Sequence, residues 1–307
     1  MKVFIIHGVF QKAIPMSKFQ YYNKSEAQKK VLAIHDISCI GRCSLTVALP
    51  ILSACGINTG ILPTAILSTH TGEFTGYVKH DLSDELLPMA EHISKVGLPI
   101  DALYSGYLAN SEQVGIVKQI FNMFPNAKRF VDPAFADNGK LYAMMDMQLV
   151  ERLRELISIS DIIVPNVTEA QFLIKNECDN FEFNENEILA MAKSLANMGA
   201  KYIVITSINY GDNIATAFYS KREEEFKLFF NKKYNGVFHG TGDTFASSLL
   251  ACLLNNINFE DSINISLRFI CKCIEKTLLG GEALRYGVRF EQVIPELISE
   301  IAKNAKN

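Results

Sequence analysis

The chain has no apolar run long enough to cross a bilayer, which takes about 20 consecutive apolar residues. Near the N-terminus, Val3-Phe4-Ile5-Ile6 is broken by His7 and leads to no small-residue cleavage site. Neither a membrane span nor a secretory signal is expected there. Basic clusters are also missing. Lys29-Lys30 and Lys232-Lys233 are only pairs, and 30 Lys and Arg against 33 Asp and Glu leave a net charge of -3. That balance argues against general nucleic-acid binding, which needs a basic footprint. No Cys-x-x-Cys pair occurs. The seven cysteines are odd in number and scattered through apolar runs. They fit reduced thiols in a cytoplasmic protein better than a disulfide scaffold or a zinc site. No Gly-x-x-x-x-Gly-Lys-Ser/Thr loop is present, which disfavours a P-loop kinase. No repeat, low-complexity linker or composition break divides the chain.

What is present is the pattern of a packed α/β protein. The chain is 49% hydrophobic and 21% charged, ordinary for a globular core. Strand-length apolar runs alternate with helix-period segments. Expected strands are 31–35, 57–62, 102–104, 129–132, 162–164 and 202–206, with a more polar antiparallel pair at 214–219 and 225–230. Expected helices are 44–55, 82–96, 111–124, 147–159, 168–175, 185–198, 244–254, 262–278 and 293–302. Such alternation with continuous apolar strands predicts a mainly parallel sheet covered on both faces. Residues 1–30 read as an N-terminal extension, a candidate for disorder, ahead of one domain over 31–307. Ligands of open α/β sheets bind beyond the carboxyl ends of the strands. Residues just after strands are therefore the candidates for function.

The strongest such segment is Gly236-Val237-Phe238-His239-Gly240-Thr241-Gly242-Asp243-Thr244, which runs into an apolar helix. Two glycines around a threonine let the backbone turn tightly and present N–H groups, and the helix start adds positive dipole. Gly240, Thr241 and Gly242 thus form a candidate anion hole. Asp243 beside it can accept a proton from an attacking alcohol. The bland alternative is an ordinary acidic first turn. Asp132-Pro133 with Asp137, and Asn166 with Glu169, follow two further strands. These carboxylates could hold Mg²⁺ against nucleotide phosphates. Asn166 and Glu169 could equally be an N-cap and its capping-box partner. Thr206 and Ser207 end another strand and place two hydroxyls at the ligand edge.

These motifs resemble the ribokinase superfamily. Gly240-Thr241-Gly242-Asp243 is similar to its anion-hole and base motif, and Asn166-Val167-Thr168-Glu169 to its Asn-x-x-Glu magnesium motif. Ser68-Thr69-His70-Thr71-Gly72, Ser105-Gly106-Tyr107-Leu108 and the stretch from Asp132-Pro133 to Asp137 are similar to segments of the pyridoxal kinase branch. The resemblance implies a ribokinase-like three-layer α/β/α sandwich with a central, mainly parallel sheet. It implies an ATP-dependent kinase acting on the 5′-hydroxymethyl group of a B6 vitamer. By that resemblance Asp243 is the base and the backbone of 240–242 steadies the transferring phosphoryl group. Asp137 and Glu169 organise Mg²⁺. Asp132, Asn166, Thr206 and Ser207 serve the nucleotide. His70, Thr71 and Tyr107 line the pyridine pocket. K⁺ is a candidate monovalent cation, and a homodimer is the expected assembly.

Two departures touch the substrate side. The first strand ends in His35-Asp36, where the branch commonly carries a serine, and Ala134-Phe135-Ala136 stands in place of Val-x-Gly. Asp36 could pair with a protonated ring nitrogen or a substrate amine, or merely cap the following turn. Alternatives on the same fold are a hydroxymethylpyrimidine kinase and a non-catalytic nucleotide or pyridoxal-phosphate binding module. The second is disfavoured by the presence of Asp243.

Overall fold

The computed structural model describes residues 28–305 except 176, 179, 180 and 282. The elements run β1 (Lys30–Ser38), α1 (Leu45–Ala54), β2 (Asn58–Leu67), β3 (Lys79–Asp81), α2 (Ser83–Val96), β4 (Ala102–Ser105), α3 (Ser111–Met123) and β5 (Lys128–Val131). A small hairpin of β6 (Ala136–Asp137) and β7 (Lys140–Leu141) precedes α4 (Met147–Ile157), β8 (Ile162–Ile163), α5 (Val167–Lys175) and α6 (Glu185–Met198). Then come β9 (Tyr202–Tyr210), β10 (Asn213–Ser220), β11 (Glu225–Lys232), α7 (Thr241–Leu254), α8 (Phe259–Leu279), a 3₁₀ turn (Leu284–Tyr286) and α9 (Ile294–Asn304).

Nine strands make one sheet in the order β11-β10-β9-β8-β5-β4-β1-β2-β3. The pairs from β2 across to β9 are parallel. Its edges are antiparallel, with β3 on β2 and with β10 and β11 beyond β9. Val31, Leu32, Ala33 and Ile34 are all buried, as a strand covered on both faces requires. Alternate residues feed two cores. Val31, Ala33, Tyr104 and Phe130 pack with side chains of α1, α7, α8 and α9. Leu32, Ile34, Leu103 and Val131 pack with those of α2 through α6. Each large apolar side chain so buried contributes about 1.5–3 kcal/mol. The result is the covered, mainly parallel sheet that the alternation predicted, in the three-layer α/β/α sandwich that the resemblance implied.

Three element boundaries differ from expectation where function is concerned. β1 continues to Ser38, so Asp36 lies inside the strand rather than behind it. β9 does not end at Thr206. It passes through a bulge, where Ile205 pairs with Ala217 and Ile208 with Ala215, and Ser207 takes φ 60°. α7 begins at Thr241, three residues early, with Gly240 as its N-cap. β3 and the β6–β7 hairpin were not foreseen, because two- and three-residue strands carry no periodicity. Asn138-Gly139 did signal the hairpin. Both residues adopt positive φ, 49° and 77°, as a two-residue type I′ turn demands.

Of the expected extension over 1–30, residues 1–27 lie outside the described residues. Residues 28–30 are tied to the domain. Gln28 Nε2 donates to Gly56 O at 2.9 Å, and Lys30 N–H to Asp101 Oδ2 at 2.8 Å.

Candidate active site

The parallel centre of the sheet brings the ends of β1, β4, β5, β8 and β9 side by side. Asp132 N–H bonds Ser105 O at 2.9 Å, and Asn166 forms a parallel bridge to Thr206. Four non-glycine residues near these ends have left-handed backbone: Ser44, Ala134, Asn138 and Ser207, with φ between 41° and 60°. Such conformations cost on the order of 1–3 kcal/mol each and cluster at functional sites.

The anion hole follows from the helix start. Gly240 takes φ 73°, and a Cβ there would lie 2.0 Å from Arg42 O, so no side chain fits. Its carbonyl accepts both Thr244 N–H at 3.0 Å and Thr244 Oγ1 at 2.7 Å, which closes the first turn. The N–H groups of Thr241, Gly242 and Asp243 therefore open the helix with no intrahelical acceptor available. Asp243 Oδ2 accepts the Ser44 N–H at 2.9 Å, fixing the carboxylate against the loop before α1. Protein crowds most of that carboxyl although its residue is only half-buried. This desolvation pushes it up to about 7, Ser44 opposing and the Asp36 charge adding.

A second group of carboxylates gathers at β5 and α5. Glu169 is buried, and its reciprocal capping box with Asn166 is complete. Asn166 N–H donates to Glu169 Oε2 at 2.8 Å, and Glu169 N–H to Asn166 Oδ1 at 3.0 Å. Glu169 Oε1 also accepts from Phe135 N–H at 2.9 Å and Ala136 N–H at 3.4 Å. Burial nonetheless pushes Glu169 up to about 8. Asp132 is pushed well above the carboxylate range by burial, then by the charges of Glu169 and Asp243. Of these two interacting acids Asp132 holds its proton the more firmly, because three N–H donors favour the ionised form of Glu169. Asp137 is exposed, and both its oxygens accept from Asn138, at 2.8 Å and 3.0 Å. Burial of its carboxyl still raises it. Asn166 Nδ2 donates to Ala136 O at 2.7 Å, binding α5 to the hairpin. Among the described residues no three His, Cys, Asp or Glu converge as a ready-made metal centre. Asp137 and Glu169 are near enough for the Asp137 charge to raise Glu169 further.

Asp36 is 5% exposed. Its Oδ1 has no hydrogen bond within ordinary geometry, its Oδ2 accepts from Ser38 Oγ at 3.3 Å, and the Ser44 side chain also favours its charged form. Burial raises it to about 6. Being inside a strand, it caps no turn. Tyr107 is half-buried near it, its phenol pushed up by burial and then by the Asp36 charge. His70 is a fastener. Its Nε2 meets Arg285 O at 2.5 Å, and its Nδ1 accepts Gly72 N–H at 3.1 Å, which leaves neither nitrogen free. Thr71 is half-buried on the same loop. Thr206 is half-buried and Ser207 exposed, both turned out by the bulge.

Sequence reasoning assigned no role to His35, Ser44, Ser105 or His239. His35 is fully buried, with both ring nitrogens outside any hydrogen bond. Burial holds its imidazole neutral, down to about 3, with the nearby Tyr104 backbone opposing without hydrogen-bond geometry. The ring lies edge-on to Tyr104 at 4.3 Å and fills the place of a Gly106 side chain, its Nδ1 2.1 Å from where Cβ would be. Ser105 Oγ is likewise buried without a partner. A histidine ending an apolar strand was the available signal for His35. The role of Ser44 comes from a contact 199 residues distant in sequence and left no local trace.

A sheet of this order, carrying a helix-start anion hole and a carboxylate beside it, belongs to the ribokinase-like class of small-molecule kinases. Within that class the chain is a member of the phosphomethylpyrimidine kinase family, whose model matches residues 51–286. A crystallised candidate phosphomethylpyrimidine kinase from Bacteroides thetaiotaomicron is 32% identical and superposes with a TM-score of 0.85, covering 91% of this chain and 96% of that one. A second crystal form described for such a protein contains pyridoxal, with 32% identity, a TM-score of 0.84 and 88% and 96% covered. A candidate pyridoxal kinase of Saccharomyces cerevisiae is 26% identical over 270 residues, 81% of this chain and 83% of that protein.

Proposed function

We propose that this protein transfers the γ-phosphoryl group of ATP to the 5′-hydroxymethyl group of a B6 vitamer, giving the 5′-phosphate and ADP. Pyridoxal, pyridoxamine and pyridoxine are the candidate acceptors. The observation that carries the reading is Asp243, held by Ser44 N–H in the first turn of a helix whose N-cap glycine leaves the N–H groups open. Pyridoxal in the Bacteroides crystal supports the acceptor class.

Phosphoryl transfer needs positioning and charge neutralisation more than covalent chemistry. Asp243 accepts the hydroxymethyl proton as the oxygen attacks. The N–H groups of 241–243 face the oxygens of the phosphoryl group in flight. Thr206, Ser207 and Asn166 meet the nucleotide phosphates from β9 and α5. Asp36, Thr71 and Tyr107 contact the ring of the acceptor, while His70 holds the loop of Thr71 in place. Because Asp243 sits at about 7, the fraction able to accept a proton grows as pH rises through neutrality.

Mg²⁺ fits the donor set. Asp132, Asp137 and Glu169 offer hard oxygens, and burial, followed at Asp132 by the Glu169 charge, makes their ionised forms costly in a way that a dication would offset. When bound, the ion supplies charge neutralisation at the nucleotide phosphates. Glu169, with both oxygens accepting backbone N–H groups, would serve it through water. Homodimeric assembly and a cytoplasmic setting complete the proposal, the latter supported by seven cysteines scattered through apolar runs without Cys-x-x-Cys spacing.

The family is described by a kinase of phosphomethylpyrimidine, which keeps a pyrimidine acceptor, hydroxymethylpyrimidine, as the second reading. The test is ADP production with Mg-ATP and each of pyridoxal, pyridoxamine, pyridoxine and hydroxymethylpyrimidine. Turnover of a B6 vitamer above the pyrimidine is the expected result. Turnover of the pyrimidine alone would move the assignment to that substrate, and turnover of none would remove it.

A further inference from the structure

We propose that His239 is a positioning residue that couples the substrate loop to the anion hole. The inference rests on the kinase reading above. The loop over 68–78 joins β2 to β3, and one side of it is fastened. His70 holds Arg285 O, and Phe74 lies under the Arg285 guanidinium at 5.0 Å and against the Tyr286 ring at 5.6 Å. The other side meets His239. A Cβ on Gly72 would lie 2.5 Å from His239 Cε1, so the imidazole occupies the space that this glycine leaves. Glu73, in a left-handed conformation at φ 60°, brings Oε2 to 3.4 Å from His239 Nε2.

That contact is incomplete. The separation is within ion-pair reach, yet Nε2 is a buried atom that makes no hydrogen bond. A buried polar atom left unpaired is costly, so a small movement of the loop that completes the bond is favoured. His239 directly precedes the N-cap Gly240, and its own carbonyl accepts Val288 N–H at 3.2 Å. Across the site its ring is in electrostatic reach of Asp137. One side chain therefore touches the loop that carries Thr71, stands next to the anion hole, and faces the β6–β7 hairpin. An acceptor that draws the loop inward brings Glu73 onto His239. The imidazole then braces the turn that presents the 241–243 N–H groups. Before the acceptor arrives the brace is open, which disfavours phosphoryl transfer to water.

The test uses Glu73→Gln, His239→Phe and the double variant, since Phe keeps the ring that packs on Gly72. Glu73 is more than half exposed, so loss of the pair should raise the vitamer KM about two- to fivefold. ADP affinity should not change, and ATP hydrolysis without acceptor should stay at the wild-type level, because the brace is open there in every form. The double variant should be no worse than the worse single, as expected for two groups acting through one contact. Hydrogen exchange of 68–78 with pyridoxal and ADP bound supplies an arm independent of activity. Both singles should speed it equally and the double no further. Additive KM effects, or wild-type exchange in either single, would overturn the coupling. A wild type that phosphorylates no vitamer would remove the kinase reading instead, and the exchange arm would still decide the His239–Glu73 contact.

Discussion

Asp36→Asn removes one charge and almost no volume, so it isolates what that carboxylate reads. Asp36 is 5% exposed, with Oδ1 outside any well-formed hydrogen bond and Oδ2 holding a long bond from Ser38, the Ser44 side chain adding some support. A buried anion this poorly satisfied gains most from a cationic ligand. A charge-assisted hydrogen bond contributes about 1.5–3 kcal/mol, or about ten- to a hundredfold in specificity if one vitamer alone makes it. Pyridoxamine carries an amine where pyridoxal carries an aldehyde. The variant should therefore lower kcat/KM for pyridoxamine more than for pyridoxal, changing their ratio by about that factor. The assay is the two kcat/KM values in both proteins at one pH well above 6. A repeat below pH 6 adds a check. There Asp36 is protonated, since burial raises it to about 6, and the wild-type ratio should move toward that of the variant. Thermal stability near neutrality should hold or rise, because the charged form is the one that burial penalises. An unchanged ratio at both pH values would refute the reasoning, whatever the absolute rates did.

Gly240→Ala should keep the fold and lose at least tenfold in kcat. Its Cβ would sit 2.0 Å from Arg42 O, and a displacement of about 1 Å in a catalytic turn can cost about 10²-fold; circular dichroism with a steady-state assay checks both parts. Glu169→Gln places an amide NH₂ against a backbone N–H at one of its two oxygens, so it should lose about 1–3 kcal/mol of stability. It should also raise the Mg²⁺ needed for half-maximal rate. A lower Tm with unchanged Mg²⁺ dependence would leave Glu169 as a capping residue only. Asp36, Asp243 and Glu169 are raised from values near 4 to about 6, 7 and 8. Acids bound more tightly to protons when folded give stability that is full below their unfolded values and lost as pH rises through the folded ones. In the absence of divalent cation, Tm should therefore fall as pH is raised from about 5 to about 8, and Mg²⁺ should restore more of it at the upper end.

Sequence carried the sandwich because its signals are local. Val31–Ile34 is apolar without a break, and α6 was read to the residue, Glu185 to Met198, with Asn184 capping it. The candidate site was legible for a related reason: residues with chemistry follow strands, so Asp132, Asn166 and Asp243 could be named from position. What escaped depends on distance or on backbone geometry. Nothing near Ser44 says that its N–H holds Asp243. Thr206 and Ser207 were expected at a strand end, but they lie in a bulge created by pairing with β10. Asp36 was expected behind β1, and the extra residues of that strand came from pairing Ile37 and Ser38 with Ile66 and Leu67. His70 was read as a pocket residue from resemblance, and its bonds to Arg285 and Gly72, which add a role in fastening the loop, left no local trace.

The central claim is that Asp243 takes the proton from the alcohol of a B6 vitamer during transfer from ATP. Single-turnover phosphorylation by wild type and Asp243→Asn, with ADP binding measured on both, tests it most directly. Asparagine keeps the Ser44 contact through its carbonyl oxygen but cannot take up a proton. The account predicts phosphorylation slowed by about 10²–10⁴-fold with ADP binding unchanged. Vitamer phosphorylation at near wild-type rate in Asp243→Asn would contradict it.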